Sequence, residues 1–590
     1  MGKDDDSQKP SNSETPNTKA AARAEQLSGH LKNDQNQRPT TSRRRRKDKK
    51  DELPSDYSDI LGQLSTLRQI SNTPDTSRRG YVRQKQDGKL WVRERLDKLL
   101  DPGSLKEIGS VTGHVKWKQL GGEREEPETY LPHNNVQAFG KLNGRQVVLT
   151  ADDFTIRAGH QDGHLMAKTL FTEKLSIQLK LPMIKLTDGS SGGGSVTSIA
   201  ATGFSYVPPM QGFDIVTKQL NMGIPNLGAV VGPAIGLGAA RVVSCHFSVM
   251  AANVGALFNA GPNVVKNATF EEGLSFTDLG GPAMHCTNGT IDNMAATEEE
   301  CFEQIRTVLG HLPNCGTQVP PVVKCSDPTD REDIELRTII PRKRERMYNP
   351  RKVIGGVVDK DSFFEIGALW GRTTITGLAR LGGRPVGILS NNAEVLSGAI
   401  DAAGSQKLTR HLKFCDIFNL PILQFIDAPG YAVGTVAERT ATMRWGVELT
   451  KAYYTTTIPI FSVIIRKCYG VAGGVMVDCR DPHMRVAWPS GEWGSLPLDG
   501  GIEVAHSHEL RSIAKEKGEE ARRERYAELE GMYRRLMNPV RTANQFSIEE
   551  IIDPVKTRGL VSEWVRLVYE ADLTERVVHR MSGKLQPLYA

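Results

Sequence analysis

From about residue 89 the chain alternates short apolar runs with longer stretches of helical spacing. Residues 89–100 place Leu90, Leu96, Leu99 and Leu100 on one helical face and stop at Pro102-Gly103. Val147-Val148-Leu149 and Val386-Gly387-Ile388-Leu389 are apolar runs bounded by turn residues, the pattern of buried strands. Residues 165–177 and 403–418 follow at helical period, with Lys and Arg on the outer face. Residues 183–186 and 423–426 then return to a buried strand, closed by an Asp-Gly or an Asp-Ala-Pro-Gly turn. Each half reads strand, turn, strand, helix, strand, which predicts an α/β fold of stacked β-β-α units in a spiral. Residues 505–535, dense in Arg and Glu at i,i+4 spacing, predict a largely solvated helix.

The halves are copies of one pattern. Asn143-Gly144-Arg145-Gln146-Val147 matches Gly382-Gly383-Arg384-Pro385-Val386, and Leu181-Pro182-Met183-Ile184 matches Leu420-Pro421-Ile422-Leu423. Arg145 and Arg384, Lys168 and Lys407, and Asp188 and Asp427 all keep one offset (384−145 = 239). Upstream, Lys106-Glu107-Ile108-Gly109 echoes Phe364-Glu365-Ile366-Gly367 at a different offset, as a loop insertion produces. A duplication predicts two tandem domains, residues 76–325 and 326–590, with a linker around residues 318–350 where Pro320-Pro321 precedes a charged run.

Composition changes the picture at the N-terminus. Residues 1–75 are rich in Ser, Asn, Asp, Gln, Lys and Thr and predict a disordered tail. The formal charge of +6 resides in it: residues 1–50 hold 13 Lys/Arg and 7 Asp/Glu, leaving 62 of each sign (75−13 and 69−7) for the remainder. The basic stretch Arg43-Arg44-Arg45-Arg46-Lys47-Asp48-Lys49-Lys50 reads as a solvated charge run, and a charge-balanced body argues against nucleic-acid binding as the function. Met1-Gly2-Lys3-Asp4-Asp5-Asp6 is acidic at once, unlike a transit peptide, and no stretch is apolar enough to span a membrane. Eight cysteines without a Cys-x-x-Cys pair, and histidines without ligand spacing, predict no metal site.

Candidate chemistry lies in two glycine-rich turns. Asp188-Gly189-Ser190-Ser191-Gly192-Gly193-Gly194-Ser195 follows the first-half strand, and Arg466-Lys467-Cys468-Tyr469-Gly470-Val471-Ala472-Gly473-Gly474 follows the apolar run 460–465. Glycine permits close backbone approach and positive φ, so adjacent N–H groups can point at an oxyanion or phosphate. No Gly-Lys-Ser/Thr follows, so neither is a P-loop. Cys468 has no paired His and reads as a buried thiol.

Further motifs carry a family likeness: Gly261-Pro262-Asn263-Val264-Val265-Lys266, Asp278-Leu279-Gly280-Gly281-Pro282-Ala283-Met284-His285, Asp427-Ala428-Pro429-Gly430-Tyr431-Ala432-Val433-Gly434, Ala487-Trp488-Pro489 and Ile551-Ile552-Asp553-Pro554. In this order, over about residues 80–570, the chain resembles the carboxyltransferase subunits of biotin-dependent acyl-CoA carboxylases, the β subunits of propionyl-CoA and methylcrotonyl-CoA carboxylase. The resemblance implies two tandem crotonase-like domains. It implies transfer of a carboxyl group from carboxybiotin to the α-carbon, or vinylogous γ-carbon, of an acyl-CoA. Negative charge then develops on a thioester oxygen and on a biotin oxygen, and two pairs of backbone N–H donors meet it. The resemblance places those pairs at Gly192 and Gly193 and at Val471 and Ala472, with Ser191, Gly194, Gly261, Tyr469, Gly470, Gly473 and Gly474 around the substrate.

The sequence has no Met-Lys-Met biotin acceptor and no ATP-grasp glycine loop, so the resemblance implies a biotin carboxylase and biotin carrier subunit as partner. It also implies a homo-oligomer, dimer to hexamer. The scattered cysteines and the acidic start predict a cytoplasmic enzyme, with the mitochondrial matrix, where many eukaryotic relatives reside, as the alternative. Val471 stands where relatives usually have glycine, and Gly474 where they have a larger residue, which predicts an atypical, roomier acyl pocket. Two competing readings are a non-catalytic scaffold subunit and a crotonase-type acyl-CoA decarboxylase or hydratase.

Overall fold

The computed structural model describes residues 53–160, 166–190, 196, 199–200, 203–205, 207, 212–343, 346–478, 480–481, 483–587 and 589. Within these residues two eight-stranded sheets repeat one design. The first contains β1 (Lys106–Ile108), β4 (Asn135–Leu142), β5 (Arg145–Asp152), β6 (Met183–Gly189), β7 (Asn226–Ile235), β8 (Phe247–Ala251) and β10 (Asn293–Ala295) in that order, with β9 (Ala256–Phe258) beside β7. The second contains β11 (Phe364–Ile366), β12 (Thr374–Leu381), β13 (Arg384–Asn391), β14 (Ile422–Ala428), β15 (Ile460–Tyr469), β16 (Met484–Ala487) and β18 (Glu550–Ile551), with β17 (Glu492–Gly494) beside β15. In both, the opening three strands pair antiparallel and the later ones parallel, the signature of a β-β-α spiral. Every residue of β6 and β14 is buried, as parallel strands covered on both faces require.

The duplication holds at the level of single positions. Strands β4, β5 and β6 begin 239 residues before β12, β13 and β14, whereas β7 begins 234 before β15 (460−226). The loop insertion is a two-stranded hairpin, β2 (Gly113–Gly121) with β3 (Arg124–Pro132). Its tip, residues 117–127, forms with residues 53–62 a small unit of its own, in which Lys118 pairs with Glu126 at 3.3 Å. The repeated lysines both donate to the carbonyl of the glycine that follows the first strand of their sheet. Lys407 Nζ donates to the carbonyls of Gly367, Trp370 and Thr374 at 2.8–3.0 Å, and Lys168 Nζ to that of Gly109 at 2.9 Å. Burial pushes the pKa of both lysines down to about 8.

The segment expected to be a disordered tail is ordered near its end. Helix α1 (Ser58–Asn72) falls within residues 1–75, with Leu64 half-buried and Leu67 and Ser71 buried at helical spacing; Ser71 Oγ donates to Ser110 O at 3.1 Å. The polar average of the whole segment conceals this one amphipathic stretch. Residues 1–52, including the basic run, lie outside the described residues. Helices α2 (Arg79–Gln86) and α3 (Val92–Leu99) follow.

Both sheets share one buried core. At the seam Phe247 stands edge-on to Phe364, with ring centroids 6.0 Å apart, and His246 lies 4.7 Å from Phe418. Burial pushes His246 down to about 3 and His411 down to about 4, and His246 Nδ1 accepts the Asn226 N–H at 3.1 Å, which fixes a neutral ring. An unfolded histidine titrates near pH 6.5, so below that pH the unfolded chain binds more protons than the folded one. The stability present above that pH is therefore lost as pH falls toward 4. The urea midpoint is expected to decline across this window; an unchanged midpoint at pH 5 would contradict the neutral-ring assignment.

Candidate functional site

At the end of the second sheet β15 runs directly into α10 (Gly470–Met476). Among the helices between α3 and α10 are α4 (Phe171–Leu179), α5 (Phe213–Asn221), α6 (Leu237–Val243), α7 (Glu298–His311), α8 (Ala402–Ile417) and α9 (Thr442–Thr455). Gly470 turns the chain with φ +60, a conformation that favours glycine. Val471 and Ala472 come next in the first turn of α10, where N–H groups have no intrahelical acceptor. Val471 is 66% exposed and Ala472 fully buried. Gly473 serves packing, because a Cβ there would lie 2.7 Å from the Cys468 carbonyl carbon. A Cβ on Gly474, one turn on from Val471, would meet nothing within 4 Å. Tyr469 and Cys468 are buried. A cavity of about 700 Å³ nearby is lined by Arg337, Arg342, Arg466, Trp488 and Glu492 among others.

Each turn rests on a buried aspartate. Asp427 accepts from Arg466 at 2.9 Å, from Tyr348 Oη at 2.9 Å and from the Lys467 N–H at 3.1 Å, while its own N–H donates to Asn391 Oδ1. Asp188, its repeat counterpart, pairs with Lys89 at 2.7 Å and Arg95 at 2.8 Å, and Arg95 also holds Glu298 at 2.6 Å. Burial opposes the charge on Arg95, but Asp188 and Glu298 outweigh it and raise its pKa. The first half supplies these cations from the segment before its sheet. In the second they come from β15 itself, where the counterpart of Arg466 is Gly232, and a Cβ there would strike Asp188 Oδ1 at 2.1 Å. Arg466 and Lys467 are thus struts of Asp427.

A left-handed pair of non-glycine residues presses on each strand end: Arg157 and Ala158 in the first half, Leu396 and Ser397 in the second, with φ of 47–54°. The glycine after each pair lies so close that a Cβ would approach Asp188 O or Asp427 O to 2.9 or 2.4 Å. Lys467 Nζ donates to Ser397 O at 2.8 Å and pins the second turn.

The expected residues do not all meet. Tyr469 to Gly474 are contiguous on the second sheet, whereas Gly261 caps the helix Pro262–Thr269 on the first, just past β9. Ser191, Gly192, Gly193 and Gly194 lie outside the described residues. In sequence Gly192 and Gly193 follow β6, whose counterpart is β14, whereas Val471 and Ala472 follow β15, so the two expected donor pairs fall at different places in the duplicated sequence. The counterpart of Val471 and Ala472 is Leu237 and Gly238, which open α6 after Gly236 (φ +53). Gly189 pairs with Ala234, so β6 and β7 end side by side. Sequence reading passed over Leu237 and Gly238, although the duplication itself could have found them. The Asp278-to-His285 motif is structural: a Cβ on Gly280 would fall 1.9 Å from Leu257 O, and His285 Nε2 donates to that oxygen at 2.6 Å. Among the described residues no cluster of three or more His, Cys, Asp or Glu could hold a metal, and no helix is long and apolar enough to cross a membrane.

Residues 83–580 match the carboxyl transferase domain family. The chain belongs to it. This carboxyl transferase is 31% identical over 489 residues to the propionyl-CoA carboxylase carboxyltransferase subunit of Haloferax mediterranei, covering 82% of this chain and 91% of that one. It is 30% identical over 486 residues to methylmalonyl-CoA decarboxylase subunit alpha of Veillonella parvula, covering 81% and 90%. Transcarboxylase 12S, solved as a hexamer with hydrolysed methylmalonyl-CoA, superposes with a TM-score of 0.74 at 27% identity, covering 88% of this carboxyl transferase and 97% of that chain. The tandem crotonase-like architecture expected from the sequence is the one observed.

Proposed function

We propose that the chain is the carboxyltransferase component of a biotin-dependent acyl-CoA carboxylase. The observation that carries this reading is the twice-built turn, Gly236-Leu237-Gly238 and Gly470-Val471-Ala472, which offers two pairs of first-turn N–H groups at equivalent strand ends. Carboxybiotin, borne on a partner subunit, supplies the carboxyl group when bound. One pair of N–H groups would receive the thioester oxygen of the acyl-CoA as the α-proton passes to the biotin ureido group that has given up its carboxyl group, and the other pair would receive the biotin carbonyl oxygen. No side-chain acid is needed, in keeping with Asp188 and Asp427 being buried and ion-paired. The relatives named for propionyl-CoA and methylmalonyl-CoA support an acyl-CoA substrate, and the hexameric neighbour supports a homo-oligomer.

The test is carboxylation of an acyl-CoA panel by the purified chain with its biotin-bearing partner, or the reverse decarboxylation with free biotin. Biotin-dependent turnover is expected; none with any acyl-CoA, from a folded oligomer, would favour a scaffold subunit. Open space at Gly474 sets the chain-length preference. Gly474→Ile is expected to lower kcat/KM for longer acyl-CoAs by about tenfold or more relative to propionyl-CoA, the size of one or two methylene contacts. An equal fall at every chain length would count against this pocket.

A further inference from the structure

The first half contains an ion cluster that the second half lacks. Glu173 on α4, Lys185 on β6 and Arg241 on α6 have side chains 0%, 1% and 6% exposed. Arg241 Nη2 donates to Glu173 Oε1 at 2.5 Å, and Lys185 Nζ lies 3.5 Å from the same oxygen. Burial opposes ionisation of Glu173, but Lys185 and Arg241 outweigh it and hold its carboxyl below the usual range. The backbone carbonyl of Glu173 accepts from Gln219 Nε2 at 2.9 Å, which extends the network to α5.

The second half shows that the fold closes without these charges. Glu173 and Lys185 correspond to Leu412 and Gln424 at the 239 offset, and Arg241 to Val475 at the 234 offset. There Gln424 accepts from Tyr453 Oη at 2.8 Å and donates to Ser462 Oγ at 2.6 Å, a neutral network. Buried ion clusters seldom add stability over such a set, so this one calls for another explanation. The seating of the two short helices supplies it. In the second half Gly473 lets α10 lie directly on Cys468; its counterpart in α6 is Ala239, which carries the methyl group that Gly473 lacks. In α6 the Arg241–Glu173 bond provides the tether instead, and Glu173 joins it to Lys185 on the strand that leads into the neighbouring glycine run.

We propose that Glu173, Lys185 and Arg241 are positioning residues that fix the first-half turn, holding the N–H groups of Leu237 and Gly238 in register with the end of β6. The proposal rests on reading that turn as an oxyanion site. The test transplants the neutral set of the second half into the full chain, E173L/K185Q/R241V, and assays it with the biotin-bearing partner. A misplacement of about 1 Å is worth about 100-fold, so kcat is expected to fall by that order with KM for acyl-CoA and the melting temperature little changed. R241K, which keeps a cation on Glu173, should recover most of the rate. Undiminished kcat in the transplant, or a loss that tracks melting temperature and KM, overturns the proposal. Should the transplant not fold, R241M carries the test, since Lys185 still compensates Glu173: a kcat loss at constant KM supports positioning, and an unchanged kcat overturns it. An inactive parent would sink the functional reading itself, whereas an active parent with an unaffected transplant sinks only the cluster's role.

Discussion

Val471→Pro is expected to lower kcat about 100- to 1,000-fold, the cost of losing one oxyanion donor. Proline deletes one N–H and little else at this position. The first turn of a helix does not use that N–H internally and tolerates the ring. Val471 is 66% exposed, so the ring has room, and the preceding Gly470 is the residue least restricted by a following proline. Val471→Gly supplies the control, because it keeps the donor and restores the flexibility that the branched side chain removes. Its rate should match or exceed that of the parent. The measurement is steady-state carboxylation beside thermal melting; a proline variant within threefold of the parent would remove Val471 from the donor pair.

Asp427→Asn is expected to destabilise the chain by about 3–5 kcal/mol, because it strips the partner from a buried cation while leaving that cation in place. Arg466 is 7% exposed on its side chain, Lys467 loses the same counter-charge, and one acceptor oxygen remains where Asp427 offered two to Arg466, Tyr348 and the Lys467 N–H. Urea unfolding should show the midpoint falling sharply. The double variant D427L/R466M removes both charges and is expected to recover part of the loss, since apolar groups of similar volume often replace a buried pair at little cost. A midpoint for D427N within error of the parent would mean that water or another group compensates Arg466.

What could be read from the sequence was whatever repeats at one spacing. The shared offset of Arg145, Lys168 and Asp188 with Arg384, Lys407 and Asp427 predicted the tandem sheets, and the strand starts keep that offset. Helix α1 escaped because composition was averaged over a segment that is polar everywhere but on one face. Leu237 and Gly238 escaped because the offset slips to 234 between β6 and β7, and because Ile235-Gly236-Leu237 reads as the continuation of an apolar strand. The partners of Asp188 lie 93 and 99 positions away in sequence, beyond any local pattern.

The sequential strand order also sets a timetable for synthesis. Neighbouring strands in each sheet are close in sequence, so the first sheet can assemble as soon as Ala295 has emerged, without waiting for the second. At about 5–20 residues per second the last strand of the second sheet, ending at Ile551, follows about 13–50 s later. Until Phe364 and Phe418 have been made and packed against it, the nascent first half carries Phe247 and His246 without the rings that cover them. The same seam that later joins the halves is, on the ribosome, the patch a chaperone must shield.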